Sequence, residues 1–367
     1  MTREKKIVQT SVIGIIGNLL LVGAKALIGF LANSISIITD AVNNLSDALS
    51  SLITIIGTKL AGKKPDRKHP FGHGRVEYLT SIIISFVILA AGVMAIYESI
   101  QTLINQTKAT YDYVSIIVIA LAIVVKIALS LYFRYVGKKT NSEPLIASGK
   151  DAFFDALLSV ATIIGIITSM FSDFNPEGYI GILIGCFIIK SGIEILWGGI
   201  SKIVGERPEQ ELINKIKSIV CSFPEVYGAY DLIVNNYGHD KLIASIHVEV
   251  DDKLSAHEIH HLSRKIATKV YDETGAVITV GIYAKNEISD EVKEIKEFVA
   301  KTIQNNKDIR QLHGFYIDDD KNLITFDLVF DFKAKEPQKT IEELTLLLKE
   351  KYPNFNYYII HDQDFDS

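Results

Sequence analysis

Asn43 and Asp47 stand four residues apart in an otherwise apolar stretch, and Asp151 and Asp155 repeat that spacing in a second one. Four residues is just over one helical turn, so each pair shares a helix face. A carboxylate in hydrocarbon costs several kcal/mol, which makes an acid there a functional residue by default. Two such pairs, meeting across two helices, would form an all-oxygen cage. Oxygen donors suit Mg²⁺, Ca²⁺ or Mn²⁺, whereas thiolate and imidazole favour zinc and copper. The pattern implies a membrane carrier of a divalent metal. The competing structural roles are a polar contact between helices for Asp40, Asn43, Asn44 and Asp47, and a helix cap for Asp151. Capping fits poorly, because the helix of Asp151 starts two turns earlier, near Ser142–Pro144.

A second grouping, Asp66, His69 and His73, lies in the loop DRKHPFGHGRVEYL. Two imidazoles beside a carboxylate can hold zinc or another divalent ion, although surface groupings of this kind are often inert. Lys25 and Lys126 fall inside apolar runs without belonging to a spaced set. They are read as packing residues that pair with an acid or snorkel to an interface.

The elements that must position these residues follow from hydropathy. The chain has 367 residues, of which 22% are charged, yet its mean hydropathy is positive. Six apolar runs of spanning length lie near Val8–Leu31, Ile35–Leu60, Tyr78–Leu103, Tyr113–Tyr135, Leu145–Met170 and Tyr179–Val204. Lys and Arg gather at the N-terminus and in the second-to-third and fourth-to-fifth loops, which places both termini in the cytoplasm. The basic start, Met1 to Lys6, leads into a retained first helix and not a cleaved signal. A net charge of −5 and the lack of a basic stripe argue against a nucleic-acid partner. Cys186 and Cys221 form neither a CxxC pair nor a disulfide framework. No GxxxxGK[ST] loop is present to drive pumping by ATP, and no His or Cys flanks the buried acids to build a hydrolase.

From about Arg207 the chain turns polar and its strands alternate apolar with polar residues. The order helix, strand, strand, helix, strand occurs twice, about 83 residues apart. Three segments result: 1–206, a six-helix metal-transport domain; 207–286, an αββαβ domain; and 287–367, a second αββαβ unit read as a repeat of the first.

Residues 8 to 285 resemble the cation diffusion facilitators. The features that carry the resemblance are the paired polar residues on the second helix, the FGHGR loop, the pair on the fifth helix and the αββαβ unit. The resemblance implies a ferredoxin-like cytoplasmic domain and a homodimer in the cell membrane that exports divalent metal in exchange for protons. Counting back from Phe71 places the second-helix pair on Asn43 and Asp47. Zinc-transporting members commonly carry histidine in these pairs, and here there is none, so the chain resembles the manganese-exporting branch. Asp66, His69 and His73 match the family's interfacial site. Of the family's cytoplasmic ligands only His247 is matched, while Tyr230, Gly281 and Tyr283 stand where others would be. Asp327 aligns with His247 across the repeat, and His361 with Asp364 resembles a terminal-strand ligand pair, which suggests a site moved into the second unit. His257, His260 and His261 read as a solvated helix face.

The expected function is therefore Mn²⁺ export through the site Asn43, Asp47, Asp151 and Asp155, with the metal as cargo, no prosthetic group and no enzymatic activity. The alternatives are a Zn²⁺, Fe²⁺ or Co²⁺ exporter of the same family, or a membrane-anchored metal sensor.

Overall fold

Long runs of Ile, Leu, Val and Ala without an interior proline leave the backbone no partner but itself, and each run folds as one helix. The computed structural model describes residues 2–31, 35–105, 113–171, 177–238, 241–286, 289–304 and 306–363. Its first six helices are α1 (Arg3–Leu31), α2 (Ile35–Ala61), α3 (Val76–Asn105), α4 (Tyr113–Thr140), α5 (Glu143–Phe171) and α6 (Glu177–Val204). Pro144 sits in the first turn of α5, where its missing N–H is no loss. Among the described residues, α1, α3, α4 and α6 are long and apolar enough to cross a membrane. The acid-bearing α2 and α5 match them in length but are interrupted by charge. Residues up to Glu206 form one compact body, and those from Arg207 on form a second, the tip of one turn excepted.

In the first body α3 packs on α6, α1 on α2 and α4 on α5. Small residues set the closest approaches. A Cβ added to Gly149 of α5 would lie 2.7 Å from Arg134 Cγ of α4, and Ser130 Oγ donates across the same contact to the Gly149 carbonyl at 2.7 Å. This clamp lies about one turn from Lys126 and two residues before Asp151. Gly149→Val is expected to force the helices apart and cost about 1–3 kcal/mol, read as a lower Tm of the detergent-solubilised protein.

The second body holds α7 (Gln210–Val220), β1 (Gly228–Asn236), β2 (Leu242–Asp251), α8 (Ala256–Thr274) and β3 (Ala276–Lys285). The series continues with α9 (Asp290–Gln304), β4 (Ile309–Asp318), β5 (Leu323–Phe330), α10 (Pro337–Lys351) and β6 (Asn356–Gln363). Each half is an αββαβ unit with one three-stranded sheet, ordered β1-β2-β3 and β4-β5-β6. In both sheets the central strand pairs antiparallel with the first and parallel with the third. Each sheet buries one face under its own two helices: Ile246 and Val248 against Ile216 and Ile266 in the first unit, and Phe326 and Leu328 against Ile295 and Leu348 in the second. A capping box of Ser255 with Glu258 starts α8, and Gly275 at φ +74° ends it.

Candidate metal centre

The acids of α2 and α5 come together around a lysine from α4. Lys126 Nζ donates to Asp47 Oδ2 and, at 2.7 Å, to Asp155 Oδ2. The lysine side chain is 3% exposed, against 15% for Asp47 and 22% for Asp155. Asp151, also buried, interacts with both Asp47 and Asp155. Three helices thus bring three carboxylates and one ammonium into one cluster. Asn43 lies one turn before Asp47 on α2; its side chain and that of Asp40 fall outside the described residues.

The chemistry of this cluster follows from charge. Three carboxylates, one buried and two part-buried, repel one another, and each needs a counter-ion in a low dielectric. Lys126 supplies one positive charge, so the fully ionised cluster is formally −2, which one divalent cation cancels. Sequence reasoning treated Lys126 as a packing residue with an unnamed acid partner. The structure gives it the two site acids as partners. The signal available was the charge excess itself, since a −3 face inside an apolar bundle calls for a buried cation.

The loop between α2 and α3 also gathers its expected residues. His69 Nδ1 lies 3.2 Å from Asp66 Oδ1, and His73 Nε2 lies 3.5 Å from Asp66 Oδ2. The two imidazole rings are 4.5 Å apart. The backbone N–H of His69 donates to the Asp66 carboxylate, and with that of Lys68 holds its pKa below the usual carboxylate value. One ligand atom from each of the three residues lies within 4.8 Å of the others, close enough to share an ion.

In the second body His247 and Asp327 join one cluster through Asp231 and Tyr283, and His361 stands apart from it. His247 Nδ1 meets Asp231 Oδ2 at 2.8 Å, and Asp327 accepts from Tyr283 OH at 2.6 Å. His361 instead sets its ring edge-on to Phe330, 5.2 Å away, and its neighbour Asp362 approaches the cluster through His313. Asp364 lies outside the described residues. His257, His260 and His261 are exposed on α8, as expected of a solvated face. Asp231, Tyr283, His313 and Asp362 were not identified as partners from the sequence. Each comes from a different strand, so no local spacing joins them.

The chain was compared with known proteins. Residues 11–204 match the cation efflux transmembrane domain, and residues 208–282 match the cation efflux protein cytoplasmic domain. An uncharacterized transporter of Methanocaldococcus jannaschii is 30% identical over 72% of this chain and 94% of its own length. The manganese efflux system protein MneP of Bacillus subtilis is 23% identical over 73% of this chain and 92% of its own. The cation-efflux pump FieF of Shewanella oneidensis is 25% identical over 69% and 85%. With its transmembrane domain matched nearly end to end, the chain belongs to the cation efflux family, whose members are multi-pass membrane transporters of metal ions and not enzymes.

Proposed function

We propose that this protein exports Mn²⁺ from the cytoplasm in exchange for protons, through a site made of Asn43, Asp47, Asp151 and Asp155. The observation that carries this reading is Lys126 held between Asp47 and Asp155, with Asp151 beside them, in one intramembrane cluster whose net charge a divalent cation balances. The donors identified there are all oxygen, which lowers the advantage that zinc and cobalt gain from imidazole. Bacillus subtilis relatives named as manganese efflux proteins support the choice of metal. Six spans with both termini in the cytoplasm fit six helices of 27 to 30 residues and the basic loops.

Crowded carboxylates bind protons when no metal is present, so metal entry releases protons and metal exit takes them up. Helices rocking about a fixed site would open it to each side in turn. Asp66, His69 and His73 form a second, loop-borne cation site in this reading, and the match to the family's cytoplasmic domain supports a homodimer.

The test is flux by the purified protein in liposomes under an imposed pH gradient. Mn²⁺ is expected to move several-fold faster than Zn²⁺, and to stop when the gradient is collapsed and reversed. Asn43→His adds an imidazole to the oxygen set, and should shift the preference toward Zn²⁺ by about tenfold, a difference of about 1.4 kcal/mol. Equal Mn²⁺ and Zn²⁺ flux in both proteins would remove the selectivity argument.

A further inference from the structure

The two αββαβ units meet through equivalent positions that carry different chemistry. Tyr230 pairs with His247 across β1 and β2, and His313 pairs with Asp327 across β4 and β5. Directly after Tyr230 and His313 the register shifts in both sheets, with a residue at positive φ in each bulge: Asp231 at +53° and Gly314 at +62°. Tyr230 and His313 are thus counterparts, and they stack on each other with ring centroids 4.9 Å apart at 11°. The second unit uses glycine at the left-handed position, where it is unstrained. The first unit keeps an aspartate there, although a non-glycine residue in this conformation stores strain and such residues gather at functional sites.

That aspartate reaches a buried imidazole. His313 is 1% exposed in its side chain, and neither of its ring nitrogens makes an aligned hydrogen bond. Its Nε2 lies 2.9 Å from Asp231 Oδ1, 3.7 Å from Asp327 Oδ2 and 3.7 Å from Asp362 Oδ2. One nitrogen therefore sits among three carboxylates, which would repel one another unless a cation joined them. Ligands held by bonds of about 2.1 Å stand roughly 3.0–3.4 Å apart around an ion, and the observed separations bracket that range. A further ring of groups fixes the carboxylates. Tyr283 OH lies 2.7 Å from Asp231 Oδ2 and 2.6 Å from Asp327 Oδ2, donating its one proton to either, and His247 Nδ1 meets Asp231 Oδ2 at 2.8 Å. Outer partners of this kind orient metal ligands.

We propose that the second αββαβ unit completes, within one chain, a divalent-cation site whose ligands are Asp231, His313 and Asp327, one atom of each lying within 4.8 Å of the others. One imidazole with two carboxylates suits a first-row ion such as Mn²⁺, Fe²⁺ or Zn²⁺. Each half alone leaves the set incomplete: Asp231 comes from the first unit, and His313 and Asp327 come from the second. Matches to the cation efflux cytoplasmic domain end at residue 282, before either of those two. An ion here ties the two units together, separately from the transported ion.

The test is metal binding to the full-length protein in detergent, stripped with EDTA and titrated with Mn²⁺ and, separately, Zn²⁺ by calorimetry. Ions per chain are counted after dialysis. His313→Ala and Asp327→Asn are each expected to lose one ion per chain, and combining either with Asp155→Ala should lose a second, which keeps this site distinct from the membrane one. Tyr283→Phe preserves shape and removes only the hydroxyl that lies between two ligands, so it should keep the ion at about tenfold lower affinity. Unchanged ion counts and affinities in His313→Ala, Asp327→Asn and Tyr283→Phe would overturn the proposal. If the first two variants misfold by circular dichroism, Tyr283→Phe carries the test alone, and unaltered affinity in it counts against the site.

Discussion

Asp155→Ala is expected to lower Mn²⁺ flux in liposomes at least ~100-fold, because it deletes a ligand, and loss even of a group that only supports a ligand costs about 10–100-fold. The substitution removes one of the two carboxylates that Lys126 Nζ holds. The ammonium is then left to Asp47, the carboxylate on the facing helix, and the ionised cluster falls to a formal −1. A divalent cation entering that cluster would face an excess of positive charge in a low dielectric, where such an imbalance is costly. The fold should survive, since alanine is the best helix former and Asp155 is only half buried. Flux at the unsubstituted level in a folded Asp155→Ala protein would sink the site assignment. The same variant separates transport from sensing. A cell carrying it should accumulate Mn²⁺ if the protein exports the metal, and should keep its metal content if the membrane part serves only as an anchor.

Much of the fold is legible because the physics that builds it is local. The six long helices lie close to the apolar runs expected for them, since a stretch without water must pair its own backbone. The ten elements of the second body also lie close to expectation, because amphipathic periods of 3.6 and 2 alternate cleanly between turn signals. That Asp151 and Asp155 share one helix is legible for the same reason, as four-residue spacing is a property of one helix. What could not be read was tertiary. Whether Lys126 snorkels or pairs depends on α4 lying against α5 and near α2, a packing set partly by Gly149 and Ser130. Asp231, His313 and Asp362 lie on three separate strands. On β6 the alternation is weak, with exposed residues on both faces, and a slip of one residue exchanges His361 for Asp362.

Lys126 is where the charge of the site can be tested by itself. Lys126→Gln keeps a hydrogen-bond donor on a side chain one atom shorter but removes the charge, leaving the ionised carboxylates at a formal −3. With no metal bound, that change strips the buried acids of their counter-ion, and breaking a buried ion pair from one side costs about 3–5 kcal/mol. The metal-free protein should therefore melt at a lower temperature. Metal should restore much of the difference, because Mn²⁺ now fills a site with no resident cation to displace. Binding of Mn²⁺ is expected to tighten by at least about tenfold, or 1.4 kcal/mol, while flux falls because release becomes slow. Calorimetry of the purified variant measures the first effect and liposome flux the second. A lysine that only packs would give another result, with binding and flux declining together. Opposite movement of affinity and rate would identify Lys126 as the group that keeps the metal from being held too tightly to leave.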